Sequence, residues 1–385
     1  MRQLFIIFLV LNWLVEGDFR NKFRIIGRSK AVLLFIGFYL LHLLGLLYTS
    51  NMDSGLFDVQ MKMTLLIFPL IYVTRPINRR ELYGVFYSLI AGGIVASLIM
   101  LATAAVIYFN SGQNKFFYEE FSFLIHPSYL SMYLNFAIAW LVLGIVERHK
   151  SLKFMATFWA VLIIAFFSVI IVLLSSKLGL LTLLLIYFGA LIYYILSRRK
   201  YILGIAGLIA VVLAISAVLY YVPEISGRVQ TALTALTSDE TNVTEAESTA
   251  VRMLVWKASN KVIGQNPLVG VGTGDAKDEL MKEYSAEGMT GAIANSLNCH
   301  NEYYQVFVTL GIIGFLVFTL HLLGPLRKAY RKKNIIYVLF LVIVMFNFLT
   351  ESMLETQAGV LFFALFNSLL CFCTFDNDNL NINRS

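Results

Sequence analysis

FMATFWAVLIIAFFSVIIVLL at residues 154–174, then Ser175-Ser176-Lys177, then LGLLTLLLIYFGALIYYIL at 178–196, is the stretch that decides the fold. Each apolar arm is about 20 residues long, enough to cross about 30 Å of hydrocarbon as a helix. Both arms are apolar on every face, as a membrane span is and a soluble amphipathic helix is not. The short polar break between them marks a return at the membrane surface, so the stretch reads as a helical hairpin through a bilayer.

The same scan over the whole chain predicts eleven spans: 1–15, 31–48, 57–74, 82–109, 128–146, 154–174, 178–196, 201–222, 302–324, 335–350 and 353–373. The first is short for a span, and it is followed by the charged segment 16–30 instead of a small-residue cleavage site, so it reads as a retained helix rather than a leader. Either a longer helix is clipped there or the helix begins in the interface, which makes the count eleven or twelve. Composition agrees: 59% of the 385 residues are apolar and 14% are charged, far from a soluble balance. The net charge of +7 sits in short clusters between apolar runs, which points to the membrane surface and not to nucleic acid. Cys299, Cys371 and Cys373 are odd in number and lack metal-ligand spacing, so neither a disulfide framework nor redox chemistry is expected.

The expected fold is therefore all-α: a polytopic transmembrane bundle with one large, mainly helical loop domain. Its parts are helices one to eight over 1–222, the loop domain over 223–301, helices nine to eleven over 302–373, and a tail over 374–385. Lysine and arginine set the orientation, because cytoplasmic loops collect them. Nineteen fall in alternate loops (20–30, 75–80, 148–153, 198–200 and 327–333), whereas the opposite short loops hold only Lys115 and Lys177. The loop domain is thus expected outside the cytoplasm and the tail inside. No internal repeat and no matched pair of broken helices suggests a transporter.

Within the loop domain, Val251, Leu254, Val255, Ala258 and Val262 recur at helical spacing over 245–263, with Arg252 on the polar face. Asn266-Pro267 ends that helix, GVGTGD at 270–275 makes a turn, 276–287 reads as a second helix, and 288–298 as a small, polar, mobile lid. GVGTGD lacks the Lys-Ser/Thr of a phosphate loop and no clear strand precedes it, so its glycines are read as permitting a tight turn.

Candidate chemistry gathers at the outer ends of the spans. His300, in Cys299-His300-Asn301-Glu302, stands where the loop domain re-enters the membrane, either as a proton acceptor or diphosphate ligand or as a capping residue. His126, before Pro127, can line the same cavity or simply cap a helix. Lys177 is a cation beside hydrocarbon and is expected to meet a diphosphate, with a snorkelling lysine as the alternative. Arg252 with Trp256 one turn on pairs a guanidinium fork with a ring that can stack on a sugar, while Arg228 is a weaker candidate. Glu351 and Glu355 either pair with these cations, bind sugar hydroxyls or lie in a solvated turn. No acidic pair or His/Asp/Glu cluster has metal spacing, so neither metal nor cofactor is expected.

Taken together these elements resemble the O-antigen ligase and O-antigen polymerase superfamily: Leu174-Ser175-Ser176-Lys177 in place of its L-S/T-x-S-R element, Arg252 to Trp256, Asn266 to Asp275, His300-Asn301 with Tyr304-Gln305, and Leu310 to Gly314. The resemblance covers about residues 120–325, and beyond it the helices match only in hydropathy. It implies a metal-independent glycosyltransferase in the bacterial inner membrane, with its large loop in the periplasm. Such an enzyme takes a glycan from undecaprenyl diphosphate to a lipid A core sugar or, in a polymerase, to another repeat unit. By matching, Lys177 and Arg252 would engage the diphosphate and His300 the acceptor hydroxyl; Ser176, Asn301, His126, Arg228 and Trp256 are the further residues expected to bind substrate. Lys177 departs from the family's arginine and loses its bidentate fork. A lipid-linked oligosaccharide transporter and a non-enzymatic scaffold are the rivals. A transporter predicts charges in mid-membrane, whereas nearly all charges here fall at the ends of spans, with Lys62 the main exception.

Overall fold

A computed structural model describes residues 2–147, 157–198 and 249–373, with scattered positions between 206 and 230. Most of the expected eighth span, together with Arg228 and the tail 374–385, lies outside the described residues. What is described is helical throughout, without an extended strand: a multi-pass, all-α bundle.

The chain runs through α1 (Arg2–Val15), α2 (Phe19–Arg28), α3 (Lys30–Gly45), α4 (Met52–Lys62), α5 (Thr64–Thr74), α6 (Arg79–Ser111), α7 (Tyr118–Phe121), α8 (Pro127–Glu147), α9 (Thr157–Leu174) and α10 (Lys177–Arg198). The loop domain supplies α11 (Thr249–Gln265), α12 (Ala276–Ala286) and α13 (Thr290–Ala294), and the bundle closes with α14 (Glu302–Arg331), α15 (Ile335–Asn347) and α16 (Gln357–Phe372). Among the described residues seven helices are long and apolar enough to cross a membrane; α15, α16 and Ile6–Val15 are shorter apolar helices. The segment 16–30, expected as a loop, holds α2. The expected third span begins at Met52 rather than 57 and is divided at Met63 into α4 and α5.

Polar residues set the ends. Asn78 and Glu81 form a capping box that opens α6, and left-handed Gly112 closes it. Asn301 starts α14, its side-chain oxygen accepting from Tyr303 N and Tyr304 N. Within lipid, apolar burial alone does not drive helices together, so close packing and buried polar bonds must do it. Central α8 shows both. Phe136 lies among Phe86, Phe340 and Phe366 with ring centroids 5.1–5.3 Å away, while buried Asn135 Nδ2 donates to Gly179 O at 2.9 Å. Gly179 sits so close to α8 that a Cβ there would fall 2.4 Å from Ser131 Oγ. This contact brings the start of α10, and hence Lys177, against α8.

The loop domain is keyed to the bundle by two glycine motifs. Gly311 (φ 63°, ψ −163°) breaks α14. The break frees the carbonyls of Val308 and Thr309, which accept from Val271 N and Gly272 N at 2.9 and 3.0 Å, and Ile312 N donates to Pro267 O at 2.9 Å. Gly270 and Gly272 are left-handed, at φ 72° and 101°. A Cβ on Gly274 would lie 2.0 Å from Asn51 O. Side chains are excluded because backbone meets backbone. Asp275 completes the seam by accepting from Ser50 N and Asn51 N, each at 2.7 Å. Burial pushes its carboxyl up, but these N–H donors outweigh burial and hold it below the usual range.

The 288–298 segment is a correction to the expected lid. Met289, Ala292 and Leu297 are buried with Val255, Leu280 and Tyr284 in the loop domain's own core. Those apolar side chains anchor the segment, although its backbone is rich in small residues.

Candidate functional site

Several chain segments end at the face that carries the loop domain: the start of α8, the 175–177 turn, the N-terminal turns of α11, the residues before α14, and the 348–356 turn between α15 and α16. The basic stretch 327–333 lies at the other end of α14, while 20–30 and 75–80 border α2, α3, α5 and α6.

Glu351 is the centre. Only 7% exposed, its carboxylate faces Arg252 Nη2 at 3.0 Å, His300 Nδ1 at 3.7 Å and Ser128 Oγ at 3.1 Å. Arg252 and Ser128 donate to it, whereas the His300 distance is too long for a hydrogen bond and becomes an ion pair when the imidazole is protonated. Burial raises the Glu351 carboxyl, but His300, Arg252 and His126 more than reverse this and hold it below the ordinary range. The solvated-turn reading of Glu351 is therefore overturned. Three distant segments meet on one carboxylate.

Lys177 opens α10, and its Nζ donates to Thr249 Oγ1 at 3.2 Å. Thr249 stands three residues before Arg252 in α11, so both basic side chains border the same helical turn. Ser176 is 4% exposed and caps α10, accepting from Gly179 N at 3.2 Å. His300 (φ 44°) and Ser175 (φ 48°) both hold left-handed backbone, a cost tolerated where surrounding bonds over-determine the conformation. The bonds that do so at His300 are visible. His300 N donates to Asn298 Oδ1, Asn301 N donates to Ser352 Oγ, and Glu302 N donates to Phe348 O.

The other expected ligands take different places. Asn301 is 7% exposed, and its amide is spent on capping α14 and on donating to Leu349 O at 3.0 Å. Its bonds align the turn. Trp256, expected to stack on a sugar, donates its indole N–H to Cys299 O at 3.0 Å and stacks on Tyr304 with centroids 6.0 Å apart. Burial pushes the neighbouring Cys299 thiol up to about 12, so it stays protonated. His126 pairs with Glu119 at 3.3 Å, at the edge of the site, and its Nδ1 accepts from Ser128 N. Arg228 lies outside the described residues. Among the described residues, no three His, Cys, Asp or Glu side chains are grouped to hold a metal ion.

Beneath this site lies a second charged cluster. Lys62, 1% exposed, bonds Asp58 and, at 2.8 Å, Glu355. His42 Nδ1 is 3.6 Å from Asp58, and the buried Glu302 carboxylate accepts from Leu354 N at 2.7 Å. Hydropathy singled out Lys62 but no partner for it, because its partners belong to other segments or to the same apolar run.

The family model described as O-antigen ligase matches residues 160–319. That stretch contains Lys177, Arg252 and His300 and stops short of Glu351. An uncharacterised protein of Haemophilus influenzae is 26% identical over 136 residues, 32% of this chain, and the match spans 33% of that relative's length. With a helical multi-pass bundle around the matched residues, the chain resembles the O-antigen ligase-like superfamily over that stretch.

Proposed function

We propose that this chain transfers a glycan from a polyprenyl diphosphate, undecaprenyl diphosphate in bacteria, to the hydroxyl of a lipid A core sugar or similar acceptor at the periplasmic face of the inner membrane. The observation that carries the reading is the meeting of Arg252, His300 and Ser128 on Glu351, with Lys177 bordering the same turn of α11. Arg252, His300 and Lys177 bring three basic side chains to one turn of α11, a set that suits a diphosphate.

The chemistry follows from the donor. A sugar on diphosphate already has a good leaving group, so the protein must align two substrates, neutralise developing charge and accept one proton. Glu351 stands 3.7 Å from His300 Nδ1, and as the imidazolium forms it draws into an ion pair with that carboxylate, with Nε2 as the proton acceptor. The acceptor oxygen bonds to the anomeric carbon as its proton passes to His300. The bond from that carbon to the diphosphate oxygen breaks, and its electron pair leaves with the diphosphate, whose added charge falls to Arg252 and Lys177. Attack opposite the leaving group inverts the anomeric centre. No metal or cofactor enters this scheme. A site between helix ends lets the polyprenyl tail remain in hydrocarbon.

A repeat-unit polymerase on the same scaffold uses the same donor chemistry and differs in the acceptor. Charged side chains in mid-bundle favour the transporter reading less than they first suggest, since Lys62 is tied to Asp58 and Glu355 within a closed cluster. The test is a deletion strain complemented with wild type, His300→Ala and Arg252→Ala and scored by surface glycan. Unligated lipid-linked chains of normal length in the deletion indicate a ligase, and single repeat units on core indicate a polymerase. Full complementation by both variants rejects the catalytic assignment.

A further inference from the structure

We infer that Lys62 and Glu355 form a positioning device, a buried tie from α4 that holds the 348–356 turn so that Glu351 meets Arg252 and His300. This inference rests on the transferase reading for its kinetic consequence, though not for its structural one.

The geometry is specific. Lys62 ends α4, eleven residues beyond the Asn51 cap, roughly 16 Å farther along the helix axis from the loop-domain face at the usual rise per residue. An ammonium placed there is costly unless paired, and such a residue is normally retained for a reason. One partner, Asp58, is on the same helix at i−4 and ties α4 only to itself. The other, Glu355, is 293 positions away in sequence and four residues after Glu351. From the opposite side the turn is held by Glu302, which accepts from Leu354 N, and by Ser352 Oγ, which accepts from Asn301 N. At its base a Cβ on Gly359 would fall 2.0 Å from Met353 O. The turn therefore rests between the segment bearing His300 and the lysine of α4. Without the lysine tie only one of those sides remains.

Glu351 is faced by Arg252 from α11, His300 ahead of α14, and His126, Ser128 and Tyr129 at α8. When the turn drifts, Glu351 leaves its cations and its carboxyl rises toward the ordinary range. Activity that needs the ionised form then fails at a higher pH.

The test compares Glu355→Ala, which cuts the tie but leaves the Lys62–Asp58 pair, with Glu355→Gln, which restores an acceptor oxygen, and Asp58→Asn, which cuts only the helical pair. The proteins are held in nanodiscs and read by backbone hydrogen exchange and by transfer from a polyprenyl-diphosphate-linked glycan across pH. Glu355→Ala should speed exchange within 350–356 and leave other regions unchanged. It should lower kcat about tenfold, as small misplacements of reacting groups do, with the donor KM little altered, and move the acid limb of the pH profile upward. Glu355→Gln should recover most of both, and Asp58→Asn should leave exchange in the turn as in wild type. Exchange that rises over the whole molecule, or an acid limb that stays in place while activity falls, makes the cluster merely a stabilising one and overturns the inference. Should wild type transfer no glycan while Glu355→Ala still loosens the turn alone, the transferase reading fails and the tie stands.

Discussion

Two charged clusters meet at the 348–356 turn and differ in how deeply their cations are buried. Around Glu351 one carboxylate meets an arginine and a histidine, with a lysine one helical turn away. Around Lys62 one ammonium is surrounded by Asp58, Glu355 and the nearby Glu302. The first is cation-rich and partly open, since the Arg252 and His300 side chains keep 29% and 20% of their surface exposed. In the second the cation itself is sealed, with Lys62 at 1%, and only Glu355 at its edge keeps 23%. Basic groups that solvent reaches can receive an anion, whereas an ammonium sealed against its own carboxylates can serve only its neighbours, so burial of the cation separates a binding site from a brace.

The contrast breaks most visibly at His300. If it accepts the acceptor's proton, His300→Ala should lower transfer about 10²–10⁴-fold, the usual contribution of general base catalysis, with lipid-linked donor still retained by the purified protein in a binding assay. Normal transfer would reduce the upper cluster to a structural one. A smaller loss, about 10–100-fold, is expected for Glu351→Gln, which leaves Arg252 and His300 without their shared anion. The pH dependence follows from the direction of the Glu351 shift. Its carboxyl is held below the ordinary range in the fold, so the stabilisation is present at neutral pH and is lost only as pH falls through that lowered value. Thermal denaturation of wild type against Glu351→Gln should therefore differ at pH 7 and converge in strong acid.

Gly311→Ala tests the seam on which both clusters depend. A Cβ there would lie 2.4 Å from Leu268 O on left-handed backbone, a strain of about 1–3 kcal/mol, so the melting temperature should fall and the loop domain should become more sensitive to protease. The smallest change is expected for Lys177→Arg. The lysine already borders the cation-rich turn, and a guanidinium adds a bidentate fork, so donor affinity should rise by a factor of about two to five through one charge-assisted bond. A tenfold loss instead would mean that the Thr249 contact requires the slimmer ammonium.

Legibility in the sequence divided along the same lines. Apolar runs such as 154–174 and 178–196 were read directly, because hydropathy is a property of each segment alone, and α9 and α10 follow them within a few residues. Where a helix does more than cross, its ends moved: α14 runs to Arg331 and is broken at Gly311 to accept the loop domain. GVGTGD was read correctly as a place for small side chains, while its mate, Leu310 to Gly314, was noticed only as part of a resemblance. Arg252, His300 and Lys177 were picked out by charge at unusual places. Trp256 and Asn301 were expected at substrate and are spent on Cys299, Tyr304 and the α14 cap. Glu351 was left undecided, since a carboxylate in a short turn looks the same whether it is solvated or clasped.

By itself the sequence determined a helical, multi-pass membrane protein and the family it resembles, because both follow from the order of residues along one chain. Only the tertiary structure decided that Arg252 and Glu351, 99 positions apart, form a half-buried pair, and that Lys62 reaches Glu355. A charge buried in a low-dielectric bundle must find its counter-ion through space, and distance through space is not written in the spacing of a sequence.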